Sequence, residues 1–207
     1  RLTIARYYTP SGTTIQKPYN DNYEAYERDW INRFEHGEFF SADSIKFNDS
    51  LKFQTKKGRI VYGGGGIMPD YFVPLDTSMN SAYVTKLFNS DSSREFILDY
   101  LNKNKESFKD MTLDQYYKNY KVSDAMLMEL VEYGKKNKVV FDSKDFNKSK
   151  EYLRLLMKAH MGRQIYDDNA FYKVVNDINE VYLQALNLFD EADRIAMATL
   201  LTPAIEE

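Results

Sequence analysis

The spacing of hydrophobic positions changes along this chain. Up to about residue 76 they fall in short alternating runs broken by turn residues, and beyond it they recur at helical spacing. Leu2, Ile4 and Tyr8 alternate against Thr3 and Ala5, which predicts a strand over Leu2–Tyr8. Thr9-Pro10-Ser11-Gly12 then predicts a turn, because Pro presets φ and Gly tolerates positive φ. Thr13–Gln16 reads as the returning strand, with further strand-like runs at Ser50–Thr55, Gly58–Tyr62 and, briefly, Tyr71–Pro74. Between them Tyr23, Tyr26, Trp30 and Phe34 mark one face of a helix within 20–36, which Asp21 is placed to cap.

From Ser78 onward the pattern is helical. Ser92 or Ser93 precedes Phe96, Ile97, Tyr100 and Leu101. Thr112-x-x-Gln115 fits a capping box ahead of Tyr116, Tyr117 and Tyr120. Ser123 precedes Leu127, Leu130 and Val131; Ser143 or Asp145 opens a helix in which Leu153, Leu156, Met157 and His160 share a face. Phe171, Val174, Val175, Ile178, Tyr182, Ala185, Leu186 and Phe189 predict one continuous amphipathic helix. Val139–Phe141 reads as a short extended connector, and 202–207 as a fraying end.

Composition narrows the function classes. The chain has 207 residues, 43% hydrophobic and 29% charged, with a net charge of −3. An acidic balance without a clustered basic face argues against nucleic acid. Aromatic content is 15%, from 17 Tyr, 13 Phe and one Trp, ample for a core. With no Cys, disulfides, thiol nucleophiles and Cys-ligated metals are excluded within this chain. No apolar run approaches the roughly 18 residues of a membrane span.

The candidate chemistry reads mostly as structure. Gly63–Gly66 could cradle a phosphate, but no Lys-Ser/Thr follows and Pro69 opposes a helix start, so a tight turn or a close backbone approach is the better reading. His36, in Glu35-His36-Gly37-Glu38, sits at an expected helix end and lacks the i, i+4 spacing of a zinc protease. His160 lies on an apolar helical face, as core histidines do. Ser11 is a turn serine without a nearby base, and Asp167-Asp168 and Asp190-Glu191 stand at helix boundaries. The aromatic and Lys interleaving at 116–121 is a half-buried helix face. No complete active site emerges: the residues assign no catalytic, cofactor-binding or metal-binding position.

One resemblance adds a functional expectation. Leu2-Thr-Ile-Ala-Arg-Tyr-Tyr-Thr-Pro-Ser-Gly-x-x-Ile-Gln16, followed by Gly65-Gly66-Ile67-Met68-Pro69-Asp70 and Val73, resembles the carboxyl-terminal processing, or tail-specific, proteases. These are serine peptidases with a Ser–Lys dyad. Thr13 stands where members often carry Arg. The resemblance covers about residues 1–76, with Pro18–Thr55 as an insertion between the motifs. The later helices are similar in style to the C-terminal extensions of some bacterial members.

The resemblance implies an α+β chain. Residues 1–76 would be the partial, β-rich end of a protease core with an inserted helix at 20–36, and residues 77–207 a mainly helical C-terminal domain. In the family the nucleophilic Ser, the base Lys and the PDZ module all precede the first motif. The chain, opening directly in a strand, is thus expected to be a C-terminal portion without the dyad. Ser11 inherits no role, and the portion alone would be inactive scaffolding. The parent would act on protein or peptide substrates in the cell envelope, in the periplasm, without cofactor or metal. A homo-oligomer or an adaptor protein would be the partner, contacting Leu2–Tyr8 or Ser50–Tyr62. The alternative is a standalone helical interaction or oligomerisation module unrelated to proteolysis.

Overall fold

The computed structural model describes residues 7–17, 22–56 and 58–194. The chain is helix-rich α+β with a small two-stranded antiparallel sheet. It divides into two compact units. One takes the described residues up to Leu75 together with those from Ala185; the other is Asp76–Gln184. The sequence reading had given everything after residue 76 to the helical domain.

In the first unit, most of the expected strand Leu2–Tyr8 lies outside the described residues. Its end, Tyr8, makes an antiparallel bridge to Thr14 across the expected turn. Thr9 N–H donates to the Thr13 carbonyl at 2.8 Å and Gly12 N–H to the Thr9 carbonyl at 2.9 Å, with Gly12 at φ 85°. The aromatic helix forms as α1 (Tyr23–Glu35), and the Asn22 side chain caps it by accepting from Ala25 N–H. The expected cap, Asp21, lies outside the described residues. α1 buries none of its residues, and Trp30 is 63% exposed.

β1 (Lys52–Gln54) pairs antiparallel with β2 (Ile60–Tyr62), Phe53 opposite Val61. The Tyr71–Pro74 run forms no strand. Gly64, Gly65 and Gly66 all take positive φ and turn the chain away, and Pro69 and Pro74 lack the N–H a ladder needs. Among the described residues of this unit Thr13 alone is buried.

The second unit holds the hydrophobic core. Its helices are α2 (Ala82–Asn89), α3 (Ser92–Lys103), α4 (Lys105–Phe108), α5 (Leu113–Asn119), α6 (Asp124–Lys136), α7 (Ser143–Lys148), α8 (Lys150–Ile165) and α9 (Asp168–Val175); α10 (Glu180–Leu186) begins within it. Leu87, Phe96, Tyr116, Leu127, Leu130, Leu153 and Met157 are sealed from solvent, each such side chain contributing about 1.5–3 kcal/mol. The Thr112–Gln115 capping box and the Ser123 cap both form.

Several helix boundaries differ from the sequence reading: the helix expected from Ser143 or Asp145 through His160 is split, α7 ending at Lys148 and α8, which carries Leu153 to His160, starting at Lys150. Asp91, not Ser92, precedes α3; Ser92 is buried and shares a hydrogen bond with the Ser90 hydroxyl at 2.7 Å. Asp142 caps α7 by accepting from Asp145 N–H at 2.9 Å, which leaves the Asp145 carboxylate free to accept from Tyr83 N–H. The helix expected from Phe171 to Phe189 is broken: α9 ends at Val175 and α10 starts at Glu180. The cause is the Asn176–Asn179 segment, whose polar side chains compete with the helical ladder. Asn179 accepts from Tyr182 N–H, and Asp177 accepts the Tyr117 hydroxyl at 2.7 Å.

α6 ends in a Schellman motif. Val139 N–H donates to the Gly134 carbonyl and Lys138 N–H to the Lys135 carbonyl, with Lys138 at φ 63° where glycine is the usual residue.

Candidate functional site

The residues weighed from sequence are scattered, and their surroundings are structural. Ser11 stays in the turn, its hydroxyl 2.9 Å from that of Thr9. His36 is the C-terminal cap residue of α1. His160 is packed between the rings of Phe88 and Phe171, with centroids 5.1 and 5.0 Å away. Burial, helped by the Arg163 charge, lowers its pKa and favours the neutral imidazole. Asp167 caps α9 by accepting from Ala170 N–H. Among the described residues no group of three or more His, Asp or Glu could hold a metal, and no helix is long and apolar enough to cross a membrane.

The glycine run brings two distant segments together. Gly66 N–H donates to the Ile15 carbonyl at 2.7 Å, and Gly63 N–H to the Leu51 carbonyl at 2.8 Å. A Cβ on Gly65 would stand 3.1 Å from Lys17 Cβ, and one on Gly64 only 2.6 Å from Leu51 Cδ1. The glycines let the chain take positive φ at 64–66 and pass close against the Leu51 and Lys17 side chains.

A well-defined concavity lies in the helical unit. It is a cleft of about 600 Å³ between the 120–122 segment, one face of α8 and the 174–178 turn. That size falls in the range of small-molecule sites, about 300–1,000 Å³. Lys150, Arg154 and Lys158 recur every four residues and so form one stripe on α8. Arg154 and Lys158 reach from this stripe to free carbonyls: Arg154 Nη1 donates to Val122 O at 2.7 Å and Lys158 Nζ to Tyr117 O at 2.6 Å. Arg154 also pairs with Asp124 and, at 3.1 Å, with Glu151. Lys150 donates to the same Asp124 carboxylate at 2.9 Å. These bonds hold Asp124 below the usual carboxylate range.

Lys158 is half-buried beside the rings of Tyr116 and Tyr117, 5.9 and 5.5 Å from its Nζ. Burial pulls its ammonium below the ordinary lysine value; Asp177 opposes that shift and Lys121 adds to it. The Tyr120 hydroxyl points at the sulfurs of Met126 and Met161, and burial raises its pKa. The lining contains no serine, threonine or histidine, so no nucleophile–base pair of the usual kind faces the cleft. Apolar walls with a few fixed charges are the makings of a binding site.

Sequence reasoning noted the buried face of α8 and passed over this one. Its legible signal was the four-residue spacing of Lys150, Arg154 and Lys158. The opposite walls, Val122 and Val174–Ile178, come from distant parts of the chain and gave no local sign.

Residues 83–167, less than half of the chain, match a family of unknown function, DUF8443. The match lies wholly within the helical unit. Searches of curated proteins and of solved structures found no match.

Proposed function

We propose that this chain is the C-terminal region of a tail-specific serine peptidase, supplying a structural part of the enzyme while the Ser–Lys dyad resides elsewhere in the whole protein. The observation that carries this reading is the meeting of the two resembling motifs. They are separated in the chain by the stretch 17–64, yet Gly66 N–H bonds the Ile15 carbonyl and Gly65 lies against Lys17. If the likeness were a chance match of two short strings, nothing would require them to be neighbours. On this reading the protein works in the periplasm, without metal or cofactor, on protein or peptide substrates. The region itself is a scaffold, with partner contacts through a second copy or an adaptor.

The test is the coding sequence upstream of Arg1, together with a peptidase assay. A Gly-Ser nucleophile segment followed by a suitably placed Lys is expected upstream, and no serine-reagent-sensitive hydrolysis by this chain alone. Lack of those upstream residues sinks the peptidase reading; robust hydrolysis by this chain sinks the scaffold role.

A second reading, a helical interaction module unrelated to proteolysis, is favoured by a different observation. The matched family stretch includes neither motif and stays inside a unit with its own core. Fusion of the helical stretch to unrelated neighbours in other reading frames would favour it; constant company with a Ser–Lys segment would refute it.

A further inference from the structure

We propose that the start of α10 is a strap poised to close over the cleft on α8, with Asn176–Asn179 as its hinge. The proposal rests on the α8–α9 hairpin and stands whether or not the peptidase reading does. α9 runs back along α8: a Cβ on Gly162 would stand 3.4 Å from Ala170 Cβ, and Arg163 pairs with Asp168 at 2.7 Å. Each step forward along α9 is thus a step back along α8. Val174 falls opposite Lys158, and a helix continued in this register sets Ile178 opposite Arg154 and Val181 opposite Glu151. Gly162, Lys158, Leu155 and Glu151 form one line along α8; Phe171, Val174, Ile178 and Val181 form the line that would meet it. α9 ends at Val175, whereas α8 reaches back to Lys150, so half of this line is left uncovered. The cleft lies there, lined by Glu151, Leu155, Lys158, Val174 and Ile178.

The hinge contains neither Pro nor Gly. Its N–H groups already reach back one turn, Asp177 to Val174 O at 3.4 Å, Ile178 to Val175 O at 3.1 Å and Asn179 to Asn176 O at 3.4 Å. These bonds span three residues rather than four, the tighter winding that often marks a hinge. Two side chains hold it in this form: Asp177 accepts the Tyr117 hydroxyl, and Asn179 accepts Tyr182 N–H. Open, the strap leaves Val181 61% and Tyr182 41% exposed. Closed as one helix with α9, it lays both against the α8 line and fills the cleft, which supplies the driving force. A molecule seated in the cleft then competes with the strap and favours the broken hinge.

The chain has no Cys, so introduced thiols report alone. Under mild oxidation, Glu151→Cys with Val181→Cys should form an intramolecular disulfide about tenfold faster than Glu151→Cys with Leu183→Cys. Leu183 lies about half a turn round a continued helix from Val181. In the chain without cysteines, Asn176→Ala with Asn179→Ala should move the Cα shifts of 176–179 to helical values by NMR, because Ala favours the helix and the Asn179 cap is gone. Equal rates for the two cysteine pairs overturn the proposal. So do disulfides formed between chains, or Cα shifts of 176–179 that stay non-helical in the alanine variant, a readout that does not depend on the cysteine variants folding.

Discussion

Replacing Gly162 by Ala sets two effects of opposite sign against each other. Within a helix Ala is favoured over Gly by about 1 kcal/mol. The new methyl, however, would stand 3.1 Å from Tyr116 Cε1 and 3.4 Å from Ala170 Cβ. Whether Tyr116 can give way decides the outcome. It is fully buried, its hydroxyl donates to the Lys158 carbonyl at 2.7 Å, and its ring stacks on Tyr120 at 4.9 Å. On the other side α9 presents the short Ala170, with no flexible end to move.

Overpacking of this kind costs about 1–3 kcal/mol, so Gly162→Ala should lower stability by roughly 1 kcal/mol net. A loss of that size lowers the melting temperature by roughly 4–8 °C in a unit of this scale. Urea and thermal melts by far-ultraviolet circular dichroism read it directly. In a Tyr116→Leu background the clash is gone and the same change should become favourable, which makes the pair a double-mutant cycle. A raised midpoint for Gly162→Ala alone, or equal losses in both backgrounds, would refute this account of Gly162.

Three further outcomes are expected. Lys138→Gly should stabilise the chain by about 0.5–1 kcal/mol in the same melts, because Lys138 holds the left-handed position of the α6 cap; no gain would show that its side chain makes a compensating contact. Gly64→Ala, at φ +97° and 2.6 Å from Leu51 Cδ1, should loosen the glycine turn, seen as faster amide exchange at Gly66, and unchanged exchange would contradict it. His160 is held below its ordinary 6.5, so its share of stability is full above that value and is lost as pH falls through the folded pKa. His160→Gln should flatten the stability slope just below pH 6.5, and an unaltered slope would assign that dependence to other groups.

The helices were legible because their signals are local. The Thr112–Gln115 box, the Ser123 cap and the spacing of Leu127, Leu130 and Val131 all act within one or two turns. The break between α9 and α10 was hidden because the apolar stripe runs across it. Asn179 and the distant Tyr117 decide it, the first by capping and the second by holding Asp177. The expected short strand at Tyr71–Pro74 does not form: Gly58–Tyr62 finds its partner in Ser50–Thr55, and Pro74 lacks a donor that only a ladder would have needed.

The chain's own residue order therefore determined the helix-rich character beyond residue 76, the turn at Thr9–Gly12 and the Thr112 and Ser123 caps, since each is settled by neighbours a few positions apart. Tertiary structure alone decided that Ile15 and Gly66 meet, that α1 leaves its aromatic face unburied and that Lys158 faces a cleft. Each of those depends on closing long loops and on which surface another segment covers, and neither is written in the residues concerned.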